Sequence, residues 1–216
     1  MDYSEIINDI SKFTTGTTTV GIRCVDGVIL ATDRRATAEY LVASRNAQKI
    51  YILDDHLAAT IAGAVADAQN IMDIVTAEAK LYKIRSGKPI PVQSASRLLS
   101  NILFQSRQLP YILQLIIGGF DYTGARLFVL DLFGSLTEEK FTSTGSGSPI
   151  ALGVLENGYF ENIKVEEAIA LAVHAVNSAI NRDVGSGDGV DVVKITSKGV
   201  EKIPQNEVNK YVTRIV

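Results

Sequence analysis

Three short stretches of the chain hold side chains whose types suit nucleophilic hydrolysis. Gly16-Thr17-Thr18-Thr19-Val20-Gly21 sets a threonine at the head of an alternating apolar segment. Asp33 stands at the end of the next apolar run, just before Arg34-Arg35, and Lys49 opens a third. A threonine hydroxyl is a weak nucleophile and needs a base beside it. A chain-terminal α-amine has a pKa of about 7.7–8.0, so part of it is already neutral near pH 7. Such an amine can take the hydroxyl proton without any histidine. A buried lysine nearby would favour the alkoxide and lower the amine's pKa, and an aspartate paired to that lysine would hold it in place. The same residues also have a purely structural reading. Threonine suits a pleated surface, Asp33 with Arg34 or Arg35 can form a surface ion pair of little worth, and a lysine at a strand start is ordinarily solvated. Spacing alone leaves both readings open.

Other chemistries find little support. His56 and His174 are far apart, and neither belongs to a zinc-binding spacing. Gly145-Ser146-Gly147-Ser148-Pro149 lacks the lysine of a phosphate loop. Gly185-Ser186-Gly187-Asp188-Gly189 reads as a flexible turn, and neither segment matches a Gly-x-Ser-x-Gly nucleophile elbow. The single cysteine, Cys24, reads as a small apolar strand residue, which fits a reducing cytoplasm. The net charge of −3 offers no basic excess for nucleic acid. No apolar run approaches the ~18 residues of a membrane span. Asp2, Glu5 and Asp9 stand where a secretory signal would be basic and then apolar. No metal or organic cofactor is implied.

The elements that must position these groups follow from periodicity. The 216 residues suit one large domain, or at most two small ones. Residues 1–16 stand apart: Ile6, Ile7, Ile10 and Phe13 fall at helical spacing ahead of Thr14-Thr15-Gly16. This segment is either a docked terminal piece or a leader meant for removal. From Thr17 the period changes to two. Val20, Ile22 and Cys24 alternate with Thr19, Gly21 and Arg23, as in a half-buried strand, and Asp26-Gly27 turns the chain into a return strand. Further strands are expected over 49–53 and 57–62, then helices over 65–86 and 92–108. A second β block is expected over 112–120, 126–132 and 136–142, the first strand so apolar that both its faces must be covered. Residues 145–149 read as a loop. Helices over 150–155 and 165–183 and strands over 190–196 and 200–203 complete the pattern. Clustered strands with helix pairs predict an α+β class, two stacked sheets with helices outside.

Several of these stretches together resemble the β-type subunits of archaeal proteasomes. They are Gly16 to Gly21, Ala31-Thr32-Asp33-Arg34-Arg35-Ala36, Ile61-Ala62-Gly63-Ala64-Val65-Ala66-Asp67, Gly118-Gly119-Phe120-Asp121, Ser143-Thr144-Gly145-Ser146-Gly147-Ser148-Pro149 and Arg182-Asp183-Val184-Gly185-Ser186-Gly187. The resemblance covers the chain from Thr17 onward. It implies an N-terminal nucleophile hydrolase fold, a four-layer αββα sandwich of two antiparallel sheets flanked by helix pairs. It implies residues 1–16 as a propeptide removed by self-cleavage between Gly16 and Thr17, and 17–216 as the catalytic domain of a threonine protease.

At the matching positions the resemblance implies Thr17 as the nucleophile, its freed α-amine as base and Asp33 and Lys49 in support, with the following further roles. Ser146, Asp183 and Ser186 steady the terminal amine, and Gly63 supplies an oxyanion-hole N–H. Thr37 binds the substrate main chain as an added strand. Ala36, Ala47, Ile61 and Val65 line the first specificity pocket. Being small or apolar, they imply cleavage after hydrophobic residues. The resemblance further implies seven-membered β rings, two of them stacked, α rings at the ends, unfolded polypeptide substrates and an ATP-driven unfoldase acting through the α ring. A non-catalytic ring subunit of the same fold is the main alternative, and the simpler bacterial ring protease a nearer one. The serine-rich stretch 143–149 and the last strands favour the proteasome branch.

Overall fold

A computed structural model describes residues 16–38 and 41–213. The helical spacing of Ile6, Ile7, Ile10 and Phe13 lies outside the described residues. In chain order the strands are β1 (Thr19–Arg23), β2 (Gly27–Asp33), β3 (Ala36–Ala38), β4 (Leu41–Ser44), β5 (Ile50–Asp54) and β6 (Leu57–Gly63). Helices α1 (Val65–Ser86) and α2 (Val92–Gln105) follow, then β7 (Leu113–Asp121), β8 (Gly124–Leu130), β9 (Leu136–Glu138) and β10 (Phe141–Thr144). Helices α3 (Ser148–Gly158) and α4 (Val165–Ile180), strands β11 (Val190–Thr196) and β12 (Gly199–Lys202), and helix α5 (Gln205–Thr213) complete the chain.

Two five-stranded antiparallel sheets form the centre, ordered β10-β1-β2-β11-β12 and β5-β6-β7-β8-β9. Period two decides what each face meets. In the first sheet, Val20, Ile22, Ile29, Ala31 and Val192 pack on Ala151 and Leu155 of α3 and on Ala172, Val173 and Val176 of α4. Their neighbours Val28, Leu30, Val193 and Ile195 point the other way, onto Ala58, Ile116 and Leu127 of the second sheet. The far face of that sheet, with Ile61, Leu115 and Ile117, meets Ile71, Met72 and Val75 of α1 and Leu99 and Leu103 of α2. Helices, sheet, sheet and helices thus make the expected four layers of an α+β sandwich. Among the described residues, no helix is long and apolar enough to cross a membrane.

Several expectations change. The first strand is not half-buried: Thr19 and Gly21 are as enclosed as Val20 and Ile22, because β1 lies inside a sheet covered on both faces. The run 136–142 is two strands. Leu136–Glu138 pairs with β8 and Phe141–Thr144 with β1, so the chain crosses between sheets at Glu139-Lys140. Alternation reports an extended chain but not its partner, so this crossing left no mark in the period. Residues 145–149 are only partly a loop, since α3 already begins at Ser148 with a proline in its first turn. The second and fourth helices end at Gln105 and Ile180, each three residues early. The ribbon β3–β4 and helix α5 were not anticipated. The ribbon is short and rich in alanine, and α5 offers one wholly buried apolar side chain, Val208.

Candidate active site

The β1–β2 hairpin places Thr19 opposite Thr32, so the residues before β1 lie against the end of β2. There the Asp33 N–H donates to Thr18 O at 3.1 Å. Asp33 is 0% exposed, and its carboxylate accepts four hydrogen bonds. Lys49 Nζ (2.7 Å) and Thr18 N–H (2.9 Å) donate to Oδ1; Arg35 N–H (3.0 Å) and Gly187 N–H (2.9 Å) donate to Oδ2. A carboxylate offers about four such positions, and all are filled. Lys49, 5% exposed, stands just before β5 of the other sheet, so the ion pair ties the two sheets together. Burial pulls the Lys49 ammonium below the usual lysine range, and the Asp33 carboxylate opposes that pull without cancelling it. The surface pair between Asp33 and an arginine side chain does not form. Arg34 reaches Asp191 and Gln205, and Arg35 reaches Asp188.

Thr17 is 3% exposed. Its hydroxyl donates to Gly16 O at 2.7 Å, and its N–H donates to Ser146 Oγ at 3.1 Å. Ser146 comes from the turn between β10 and α3; its hydroxyl donates to Asp183 Oδ2 at 2.6 Å. Ser186 donates to the same oxygen at 2.6 Å and lies 2.7 Å from Thr18 Oγ1. Each hydroxyl has one hydrogen. Since that of Ser186 is committed to Asp183, Thr18 is the donor to Ser186. The chain of bonds therefore runs inward from both sides onto Asp183, from Thr17 N–H through Ser146 and from Thr18 through Ser186. Residues 185–189, expected as a flexible turn, are instead bonded to Asp33, to Thr18 and to two arginines.

Around this centre, Thr37 Oγ1 accepts Gly16 N–H at 2.8 Å. Gly63 ends β6 at φ +130°, where an added Cβ would lie 2.0 Å from Ile112 O. Its conformation and this close approach both require glycine. Ala36 begins β3, and Ala47 donates its N–H to Arg34 O at 2.9 Å. Ile61 is 3% exposed and packs into the α1–α2 core, while Val65 is 44% exposed at the start of α1. A groove of about 530 Å³ is lined by Ala47 and Lys49 with Tyr51, Asp191 and Lys202; Ala36, Ile61 and Val65 are not on its wall.

Other candidate groups lie apart. Cys24 is buried, and burial first, then Asp26, Glu166 and Glu167, push its thiol up to about 12, so it stays protonated. His56 Nε2 sits 2.8 Å from Ile90 O, and His174 is exposed on α4. Among the described residues, no cluster of His, Cys, Asp and Glu is arranged to hold a metal. Sequence reading missed Thr18, Arg35 and Gly187, which share Asp33 with Lys49. All three bond Asp33 through backbone N–H groups that every sequence has, so no residue type signalled them.

A threonine hydroxyl beside the carbonyl of the preceding peptide, with its own nitrogen on a Ser–Asp relay and a buried Lys–Asp pair at the next residue, suits acyl transfer. The family model described as Proteasome subunit matches residues 13–195. A "Proteasome subunit beta" of Methanocaldococcus sp. (strain FS406-22) is 54% identical over 197 residues, covering 90% of this chain and 88% of the relative. "Proteasome subunit beta 2" of Aeropyrum pernix is 54% identical over 193 residues, covering 88% of each. A "Proteasome subunit beta" of Methanohalophilus mahii is 48% identical over 208 residues, covering 96% of this chain and 99% of the relative. The fold and these likenesses agree, and the chain belongs to the proteasome subunit family, among the archaeal β subunits of the 20S core.

Proposed function

We propose that this chain is the precursor of a threonine endopeptidase that activates itself by cutting the bond between Gly16 and Thr17. The observation that carries the reading is the 2.7 Å hydrogen bond from the Thr17 hydroxyl to Gly16 O, the carbonyl of the bond to be broken. The Thr17 oxygen attacks the Gly16 carbonyl carbon, the C–N bond breaks, and the nitrogen takes up a proton. Water then hydrolyses the ester, which frees residues 1–16 and leaves Thr17 as the new terminus of the domain 17–216.

The freed nitrogen is the base of the mature enzyme. Ser146, its own hydrogen committed to Asp183, accepts one amine N–H. That leaves the amine lone pair to take the Thr17 hydroxyl proton. Lys49, held by Asp33, favours the alkoxide electrostatically. Gly63 N–H receives the oxyanion. Thr37 already holds a main-chain N–H, that of Gly16, which supports its role toward a substrate strand. Ala36, Ala47 and Val65 offer no charge to a substrate side chain, so cleavage follows hydrophobic residues; the Ile61 side chain is turned into the core under the helices and takes no part. The subunit assembles into seven-membered β rings, stacked in a pair between α rings, and digests unfolded polypeptides delivered by an ATP-driven unfoldase.

N-terminal sequencing and intact mass of the assembled particle test this directly. The expected result is a chain beginning at Thr17. Residues 1–16 still attached in fully active particles would reject the reading.

A further inference from the structure

Residues 181–189 link α4 to β11 and carry three groups of the site: the Asp183 carboxylate, the Ser186 hydroxyl and the Gly187 N–H. With glycine at 185, 187 and 189, this loop has little intrinsic stiffness. Asp188 is its fixed point. Its φ of +64° is a left-handed conformation that aspartate tolerates better than most residues but glycine adopts freely. Its carboxylate is clasped from two sides. Arg35 Nε donates to Oδ2 at 2.8 Å and Arg45 Nη1 to Oδ1 at 3.1 Å. The Arg35 bond, before any other cause, holds this carboxyl below the usual aspartate range.

Arg35 works at both ends. Its backbone N–H bonds Asp33 Oδ2, and its guanidinium also donates through Nη1 to Val184 O at 3.0 Å. The plane lies over Gly187, where an added Cβ would fall 2.3 Å from Arg35 Cζ. The two arginines flank the β3–β4 ribbon, Arg35 before it and Arg45 after it. A single carboxylate therefore joins the glycine-rich loop to both stems of the ribbon. The planar fork of Arg35 makes two directed bonds that a lysine ammonium has no geometry to copy.

We propose that Asp188 is a positioning residue for the reaction, using Arg35 and Arg45 to hold Gly187 N–H against Asp33 and Ser186 against Thr18. The proposal rests on Thr17 being the nucleophile. Asp188 touches neither Thr17 nor the scissile bond; it acts through the donors around Asp33. With the loop released, Asp33 loses one of its four donors. Its carboxylate, and the Lys49 ammonium it holds, are then less firmly placed.

The test is a pair of substitutions in assembled particles, assayed with a Leu-ending fluorogenic peptide and by β-lactone labelling of Thr17. Asp188→Gly relieves the left-handed backbone but deletes both clasps. Asp188→Asn keeps a side-chain acceptor. We expect Asp188→Gly to lower kcat about tenfold or more and to leave KM within about twofold. Asp188→Asn should fall between it and the wild type. A residue that merely suits a turn predicts the opposite order, since glycine is easiest at this φ. A wild-type kcat in Asp188→Gly therefore overturns the proposal. If that variant does not assemble, Arg35→Lys decides: the same loss of kcat at a nearly constant KM supports the proposal, and wild-type kinetics overturn it. A wild-type particle that neither cuts the peptide nor labels at Thr17 overturns both this proposal and the reading beneath it. An active, labelled wild type with an unaltered Asp188→Gly overturns this one alone.

Discussion

Gly16 and Gly185 stand backbone to backbone. A Cβ added to Gly16 would lie 2.0 Å from Gly185 Cα, and one added to Gly185 would lie 2.3 Å from Gly16 Cα. The residue before Thr17 is thereby wedged against the loop that carries Ser186, and the wedge steadies the carbonyl that Thr17 would attack.

Gly16→Ala and Gly185→Ala each push this carbonyl away from the Thr17 hydroxyl. A displacement of about 1 Å can cost up to about a hundredfold in rate. Both variants should therefore accumulate precursor, seen as the full-length band in a time course of processing. The effect should vanish for Gly185→Ala when the chain is produced starting at Thr17, because Gly16 is then absent. Equal damage in both forms would show that Gly185 matters beyond the junction.

Thr17→Ala deletes the proposed nucleophile. Processing should stop, and peptide hydrolysis should fall by a factor on the order of 10⁴ or more. Thr17→Ser keeps a hydroxyl and should retain measurable activity. Mass spectrometry of the chain and a fluorogenic assay read both outcomes, and turnover by Thr17→Ala would remove the basis of the mechanism.

Asp33→Ala and Lys49→Met should both end activity but differ in stability. Without Asp33, a buried ammonium and three backbone N–H groups lose their acceptor, a loss of about 3–5 kcal/mol. Without Lys49, Asp33 keeps the donors from Thr18, Arg35 and Gly187, and the cost is about 1–2 kcal/mol. Urea unfolding of the separate subunits measures the difference. Equal losses would mean that the ion pair, not the backbone donors, dominates this site.

The Lys49 ammonium, held below its ordinary value of 10.5 by burial, predicts two opposed alkaline trends. In the proposed mechanism activity needs the charged lysine, so kcat/KM should fall at a pH below 10.5. Stability takes the other sign. Between the lowered folded value and 10.5 the unfolded chain holds more protons, so this group's contribution rises with pH there and is lost as pH falls through the folded value. Rate profiles and unfolding curves across the alkaline range should diverge. In Lys49→Met the stability trend should flatten.

The proposed reacting groups were legible in part. Thr17, Asp33 and Lys49 stand at the ends of apolar runs, where a strand delivers a side chain to the rim of a sheet. The choice between an Asp33–Lys49 pair and an Asp33–arginine pair was not legible, because both bases are near in sequence. Burial decides it: the two arginines find Asp188 and Asp191 at the edge, while Lys49 enters from the second sheet. The loop 185–189 misled because its glycines suggest freedom, whereas Asp188 and its two arginines remove it.

Composition and period by themselves settled the α+β class, the β1–β2 hairpin at Asp26-Gly27 and the long helix stopped at Gly87. Each of these depends on neighbours within a few residues. Only the tertiary structure decided that Thr17 N–H meets Ser146, 129 residues away, and that Thr18 meets Ser186, 168 residues away. Such meetings depend on how two sheets stack and where the chain crosses between them. Local alternation carries no record of that, because any strand of the same period packs equally well until its partner is chosen.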